Sequence, residues 1–165
     1  FIKKIKNINN KTVFILGAGG VVPSIILALL NKGVKDIIIC NRTQSKIKKI
    51  NKLFKKNFKS IAWKDRNKFL SKVDVIFNAT NLGMKNSPKL NINLKQIRKS
   101  VIFCEVVYNP LITLTMKNLM KRNIKTISGL DMFIYQAEKS FFIWHKKYPK
   151  LSLNNKKKIF KNLYN

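Results

Sequence analysis

The chain has 165 residues, with 35 lysines and arginines against 6 acidic residues and a formal net charge of +29. Apolar residues make up 45% of it, enough for one buried core, which excludes a charged disordered tail. No apolar run is long enough to cross a bilayer and no signal-peptide pattern follows Phe1, so a cytoplasmic protein with no membrane partner is expected.

Lysine carries nearly all of the charge; the arginines are Arg42, Arg66, Arg98 and Arg122. The lysines are spread along the chain among isoleucines and asparagines, the mark of a compositional bias. Specific nucleic-acid binding is therefore not expected, although the charge should attract anionic ligands. Cys40 and Cys104 lie in apolar strand-like runs, and His145 is the single histidine, so no zinc-spaced cluster exists and no metal is expected. Two buried thiols suit a reducing compartment.

In chain order, Phe1, Ile2, Ile5 and Ile8 are spaced like the last turns of a helix. Because the first residue is not methionine, residues 1–10 are read as the end of a helix arriving from an upstream domain. Strands are expected over Val13–Leu16, Asp36–Cys40, Ser60–Ala62, Val75–Asn78, Val101–Val107 and Lys125–Ile127. Helices are expected near Val22–Asn31, Gln44–Phe54, Leu94–Lys99 and Thr115–Arg122. The second of these places Ile47, Ile50 and Phe54 on one face and lysines on the other. The longest helical pattern, Leu130–Tyr148, carries Phe133, Ile134, Ala137, Phe141 and Trp144 at helical steps, with Pro149 as its stop. This alternation predicts a Rossmann-like, doubly wound α/β domain over residues 11–150, with a mainly parallel sheet flanked by helices. A basic amphipathic helix is expected over 151–165.

The run "FILGAGGVVPSIILALL" from Phe14 to Leu30 breaks at glycines between a strand and a helix. Glycines there let the backbone turn tightly and approach a pyrophosphate, which the helix N-terminus stabilises through free N–H groups and its dipole. In the common dinucleotide fingerprint a third small residue would fall where Val22 stands. The second strand ends in "CNRTQSK", without the carboxylate that usually meets a free ribose 2′-OH. Arg42 and Lys46 would instead hold a 2′-phosphate, with Thr43 adding a hydroxyl, so the cofactor read from these residues is NADP. Asn41 and Thr43 would equally serve to cap the next helix, but capping needs neither Arg42 nor Lys46.

Further motifs are "NATNLGM" (Asn78–Met84), "YNP" (Tyr108–Pro110) and "GLDMFIYQAEKSFFIWH" (Gly129–His145). With the glycine turn and "NRT", they make the chain resemble the C-terminal, NADP-binding half of the shikimate dehydrogenase family from about Phe1 to Pro149. The resemblance implies that Gly17, Ala18, Gly19, Gly20 and Val21 cradle the pyrophosphate. It implies that Asn41, Arg42, Thr43, Gln44, Ser45 and Lys46 hold the adenosine 2′-phosphate. Asn78, Ala79 and Thr80 would line the ribose side, and Val106, Gly129 and Met132 the nicotinamide end. Tyr108 and Gln136 would reach the hydroxy-acid substrate.

The implied reaction is the NADPH-dependent reduction of 3-dehydroshikimate to shikimate, with a quinate-type dehydrogenase or a stand-alone NADP-binding or regulatory module as alternatives. Glu105 departs from the family's usual aspartate. The family's catalytic lysine and aspartate belong to an N-terminal substrate domain that no part of this chain matches. Lys85 and Asp131 are not their counterparts, so no catalytic residue is expected in this chain.

Overall fold

The short β-branched runs pair into a six-stranded sheet in the order β3-β2-β1-β4-β5-β6 in a computed structural model, which describes residues 2–149. The strands are β1 (Val13–Leu16), β2 (Ile37–Asn41), β3 (Lys59–Ala62), β4 (Val75–Asn78), β5 (Ile102–Glu105) and β6 (Lys125–Ile127). Every neighbouring pair is parallel. The helices are α1 (Val22–Leu30), α2 (Gln44–Phe54), α3 (Leu114–Met120) and α4 (Leu130–His145). This is the doubly wound order expected of a Rossmann-like domain.

All four residues of β1 and of β4 are buried because helices or turns cover both faces of the sheet. Val13, Ile15, Ile39 and Phe77 join α1 and α2 in one core layer, through Ile26, Leu29, Ile47 and Ile50. Phe14, Leu16, Ile76 and Phe103 point to the other layer, where α3 contributes Met116 and Leu119. The alternation follows from the period of two along a strand.

Register matters most for function. Leu16 stands beside Cys40 and Asn78, Asn41 beside Ala62, and Asn78 beside Glu105. The carboxyl ends of these strands therefore finish level, and the loops that leave them share one edge of the sheet. In this fold that edge is where ligands sit.

Some expected elements differ. Residues 2–10 form two 3-10 turns, Ile2–Lys4 and Ile8–Asn10, separated by Asn7 at φ 49, although Ile5 and Ile8 do enter the core. The helix expected at Leu94–Lys99 is only a three-residue turn, Leu94–Gln96, whose backbone is taken up by Asn93: its Oδ1 accepts from the Lys95 N–H. Beyond it Ile97 is extended and buried. A 3-10 segment at Trp63–Phe69 was not foreseen. Helix α4 stops at His145, before Pro149, because Lys146 adopts a left-handed conformation at φ 56. The basic helix expected over 151–165 lies outside the described residues. Among the described residues no helix is long and apolar enough to cross a membrane.

Cys40 and Cys104 are free and buried, and burial pushes both thiols up to about 12, so neither is a ready nucleophile.

Candidate cofactor cleft

Two kinds of glycine stand at the carboxyl edge. Gly17 has φ +110, and a Cβ there would lie 2.7 Å from the Ala79 carbonyl oxygen, so the packing of β1 against the β4 loop requires it. Gly129 is stricter: its Cβ would fall 2.2 Å from the Val106 carbonyl oxygen, where the end of β6 meets the end of β5. Gly19 and Gly20 are exposed and have no positive φ. A Cβ on Gly19 would meet only the Ala79 oxygen at 3.9 Å, and one on Gly20 nothing within 4 Å. The fold does not need glycine at these two positions. The space they leave lies before α1, whose start has no side-chain cap and no acidic residue in its first turn. An anion would supply what that helix end lacks. Val22, where the fingerprint usually has a smaller residue, is fully buried.

After β2, Asn41 and Gln44 brace the loop. Asn41 Nδ2 donates to the Thr43 carbonyl at 2.8 Å, and Gln44 Nε2 donates to the Asn41 carbonyl at 3.0 Å. Thr43 occupies the N-cap position of α2, yet its side chain makes no capping hydrogen bond. Arg42, Thr43, Ser45 and Lys46 are exposed. Arg42 and Lys46 line a cleft of about 190 Å³ with Gly17, Ala18, Gly19, Asn41, Ala79, Thr80, Asn81, Leu82 and Trp63. No carboxylate is among its lining residues, so two cations face the turn that leaves room for an anion. Thr43, Gln44 and Ser45 do not line it.

Asn78 is wholly buried and spends its amide inside the protein. Its Nδ2 donates to Glu105 Oε1 at 2.8 Å and to the Leu82 carbonyl at 3.0 Å, while its Oδ1 accepts from Thr80 Oγ1 at 2.6 Å and from the Thr80 N–H at 3.2 Å. Asn78 therefore shapes the loop, and Ala79 and Thr80 present it to the cleft. Glu105 is the hub below. Its Oε1 also accepts from the Val107 N–H at 3.2 Å, and the Thr113 hydroxyl donates to its Oε2 at 3.1 Å. Burial pushes the Glu105 carboxyl from its ordinary 4.5 up to about 7, against the pull of these hydrogen bonds.

The remaining expected site residues flank a larger, mostly apolar cavity of about 480 Å³. Val21 of the glycine turn, Ser24 and Ile25 of α1, and Met132 and Gln136 of α4 line it. Val106 is half-buried beside Gly129. Tyr108 is stacked on Phe133 of α4 with ring centroids 4.4 Å apart, and it does not line the cavity that Gln136 lines. The structure thus gathers the glycine turn, Arg42, Lys46, Ala79 and Thr80 in one cleft, and sets Met132 and Gln136 in another.

Trp63 escaped the reading of the sequence. It follows Ala62, which pairs with Asn41, so level strand ends put the indole next to Arg42. Strand register was the signal that would have found it.

A family model described as "Shikimate / quinate 5-dehydrogenase" matches residues 2–104. A shikimate dehydrogenase (NADP(+)) of Pelagibacter ubique is 43% identical over 149 residues, which cover 90% of this chain and 54% of the relative. The crystal structure of shikimate dehydrogenase from Aquifex aeolicus superposes with a TM-score of 0.76 at 27% identity, covering 89% of this chain and 53% of that one. A shikimate dehydrogenase solved in complex with NADP+ gives a TM-score of 0.70 at 32% identity, covering 93% of this chain and 53% of that one. The chain thus spans about half the length of the relatives it matches. With its motifs in order along a parallel Rossmann-like sheet, the chain belongs to the shikimate/quinate 5-dehydrogenase family.

Proposed function

We propose that this chain is the NADP-binding part of a shikimate dehydrogenase, acting in the cytoplasm on shikimate and 3-dehydroshikimate. The observation that carries the cofactor assignment is the meeting of Arg42, Lys46 and Gly19 in one cleft without a lining carboxylate. Its fit to NADP rests on charge and space. Arg42 and Lys46 offer charge-assisted hydrogen bonds to a 2′-phosphate. Gly19 and Gly20 leave backbone room for a pyrophosphate at the start of α1.

When bound, the nicotinamide supplies the hydride that converts the C3 carbonyl of 3-dehydroshikimate to a hydroxyl. This chain's residues bind and orient. Asn78 and Glu105 hold the Ala79–Thr80 edge in place, and Gly129 lets the nicotinamide wall close without a gap. Met132 and Gln136 face the larger cavity, where the hydroxy acid would be met from one side. Proton transfer at the substrate oxygen belongs to the lysine and aspartate that the family keeps in its substrate domain.

Titration calorimetry with NADP+ and NAD+ tests the assignment. Two charge-assisted hydrogen bonds at about 1.5–3 kcal/mol each predict at least ~10-fold tighter binding of NADP+. Equal affinities would sink it.

A further inference from the structure

The cations and glycines of the 190 Å³ cleft account for phosphates but leave the purine without a partner. A purine offers a flat π face, and the surface that suits it is another flat ring. Trp63 is the one aromatic residue lining the cleft. Its setting is built. The Arg66 guanidinium lies over the indole, 4.8 Å from the ring centroid. Arg66 is itself tied down, since Nη1 donates to the Trp63 carbonyl at 2.8 Å while Nε and Nη2 donate to the Asn91 carbonyl at 3.0 and 2.8 Å. The indole also packs against the buried layer that contains Leu70 and Ile92. A ring clamped in this way loses little entropy when a second ring stacks on it.

We propose that Trp63 is the adenine platform of this cleft, with Arg66 as the residue that positions it. The inference rests on the NADP reading of the cleft and adds the partner of its base. The purine would lie against the indole, with Arg42 and Lys46 free for the 2′-phosphate. Arg66 never touches the ligand; it acts by holding the ring.

The probe is adenosine 2′,5′-bisphosphate, which has the purine and the 2′-phosphate but no nicotinamide. Trp144 is 76% exposed, so W144F leaves a folded chain in which Trp63 is the only tryptophan. In that background the bisphosphate is expected to change Trp63 emission along the same saturation curve that calorimetry reports. Trp63→Leu keeps an apolar side chain but removes the ring, and should weaken the bisphosphate about 10-fold, in line with base–aromatic stacking. Trp63→Phe should recover most of that loss. Arg66→Ala should shift the emission of the free chain and weaken binding by a smaller factor. Inorganic pyrophosphate has no base, so all three variants should bind it like the parent.

Calorimetric binding without any change in Trp63 emission would overturn the platform and leave the NADP reading standing. So would equal affinity of the parent and Trp63→Leu. Failure of the bisphosphate to bind the parent at all would overturn both. Equal weakening of bisphosphate and pyrophosphate would reduce Trp63 to a structural support and end the proposal.

Discussion

The two ends of the site answer to different demands. Around Gly129, Asn78 and Glu105, backbone packs on backbone and each polar atom named above has a partner within the chain. Around Gly19, Arg42 and Lys46, the side chains are exposed and the glycines touch almost nothing. In the first region the fold dictates residue identity. In the second the fold is indifferent, and only a ligand explains the choice. A functional glycine is thus recognised by the space that it leaves unused.

The comparison breaks first on catalysis, where the largest effect is expected. The chain covering residues 1–165 should bind NADP+ and show no shikimate oxidation, because the positioned acid–base pair lies in the substrate domain. Loss of such a pair costs about 10²- to 10⁴-fold in rate, before any loss of substrate positioning. Joining the chain to a substrate domain of the family should restore turnover, followed by NADPH absorbance. In that fusion Gln136→Ala should damage shikimate use more than NADP+ affinity. Robust oxidation by the chain alone would show that the division between the halves is wrong, with Lys85 the first residue to test.

The glycines sharpen the contrast directly. Gly129→Ala puts a methyl group 2.2 Å from the Val106 oxygen and should cost more than about 3 kcal/mol in urea unfolding, at or beyond the upper end of overpacking. Gly19→Val should change stability by less than about 0.5 kcal/mol, the usual range for exposed sites, while abolishing NADP+ binding in calorimetry. If Gly19→Val were destabilised and still bound NADP+, the turn would be structural after all.

Glu105 supplies a pH test confined to the buried region. Its carboxyl is raised from 4.5 to about 7 in the folded chain, so folding favours the protonated form. Stability from this group is full below the ordinary carboxylate value, falls as pH rises, and levels off above about 7. The total loss is on the order of 3 kcal/mol. Glu105→Gln keeps an acceptor for Asn78 and Val107 and places a donor toward Thr113. Its unfolding midpoint should therefore stay flat from pH 5 to 8 relative to the parent, and exceed it at pH 8. A parallel pH profile for both proteins would contradict the assignment.

The smallest effect is on cofactor preference. Arg42→Ala should remove most of the expected ~10-fold preference for NADP+, about 1.4 kcal/mol, and leave NAD+ affinity nearly unchanged. Equal loss for both cofactors in calorimetry would mean that Arg42 supports the loop and not the 2′-phosphate.

Much of this arrangement is legible along the chain. Val13–Leu16, Val75–Asn78, Lys125–Ile127 and Gln44–Phe54 form over the expected residues, because period and β-branching are local signals. The segments over residues 2–10 and Leu94–Gln96 were misread as helix. In them the apolar spacing reports burial of Ile5, Ile8 and Ile97, which a 3-10 turn or an extended segment satisfies equally well. Asn78 was expected to line the cleft, and only its buried hydrogen bonds reveal it as a brace.

What the sequence determined by itself is the Rossmann-like alternation, the glycine turn after β1 and the cationic "NRTQSK" after β2, since each is encoded within a few consecutive residues. Tertiary structure alone decided which glycines serve the fold and that Trp63 and Arg42 share a cleft. Those outcomes depend on which strand ends finish level, and parallel pairing sets that between residues as far apart as Asn41 and Ala62 or Asn78 and Glu105. No local pattern carries such a distance, because a one-residue change of register would turn every side chain at that edge to the opposite face.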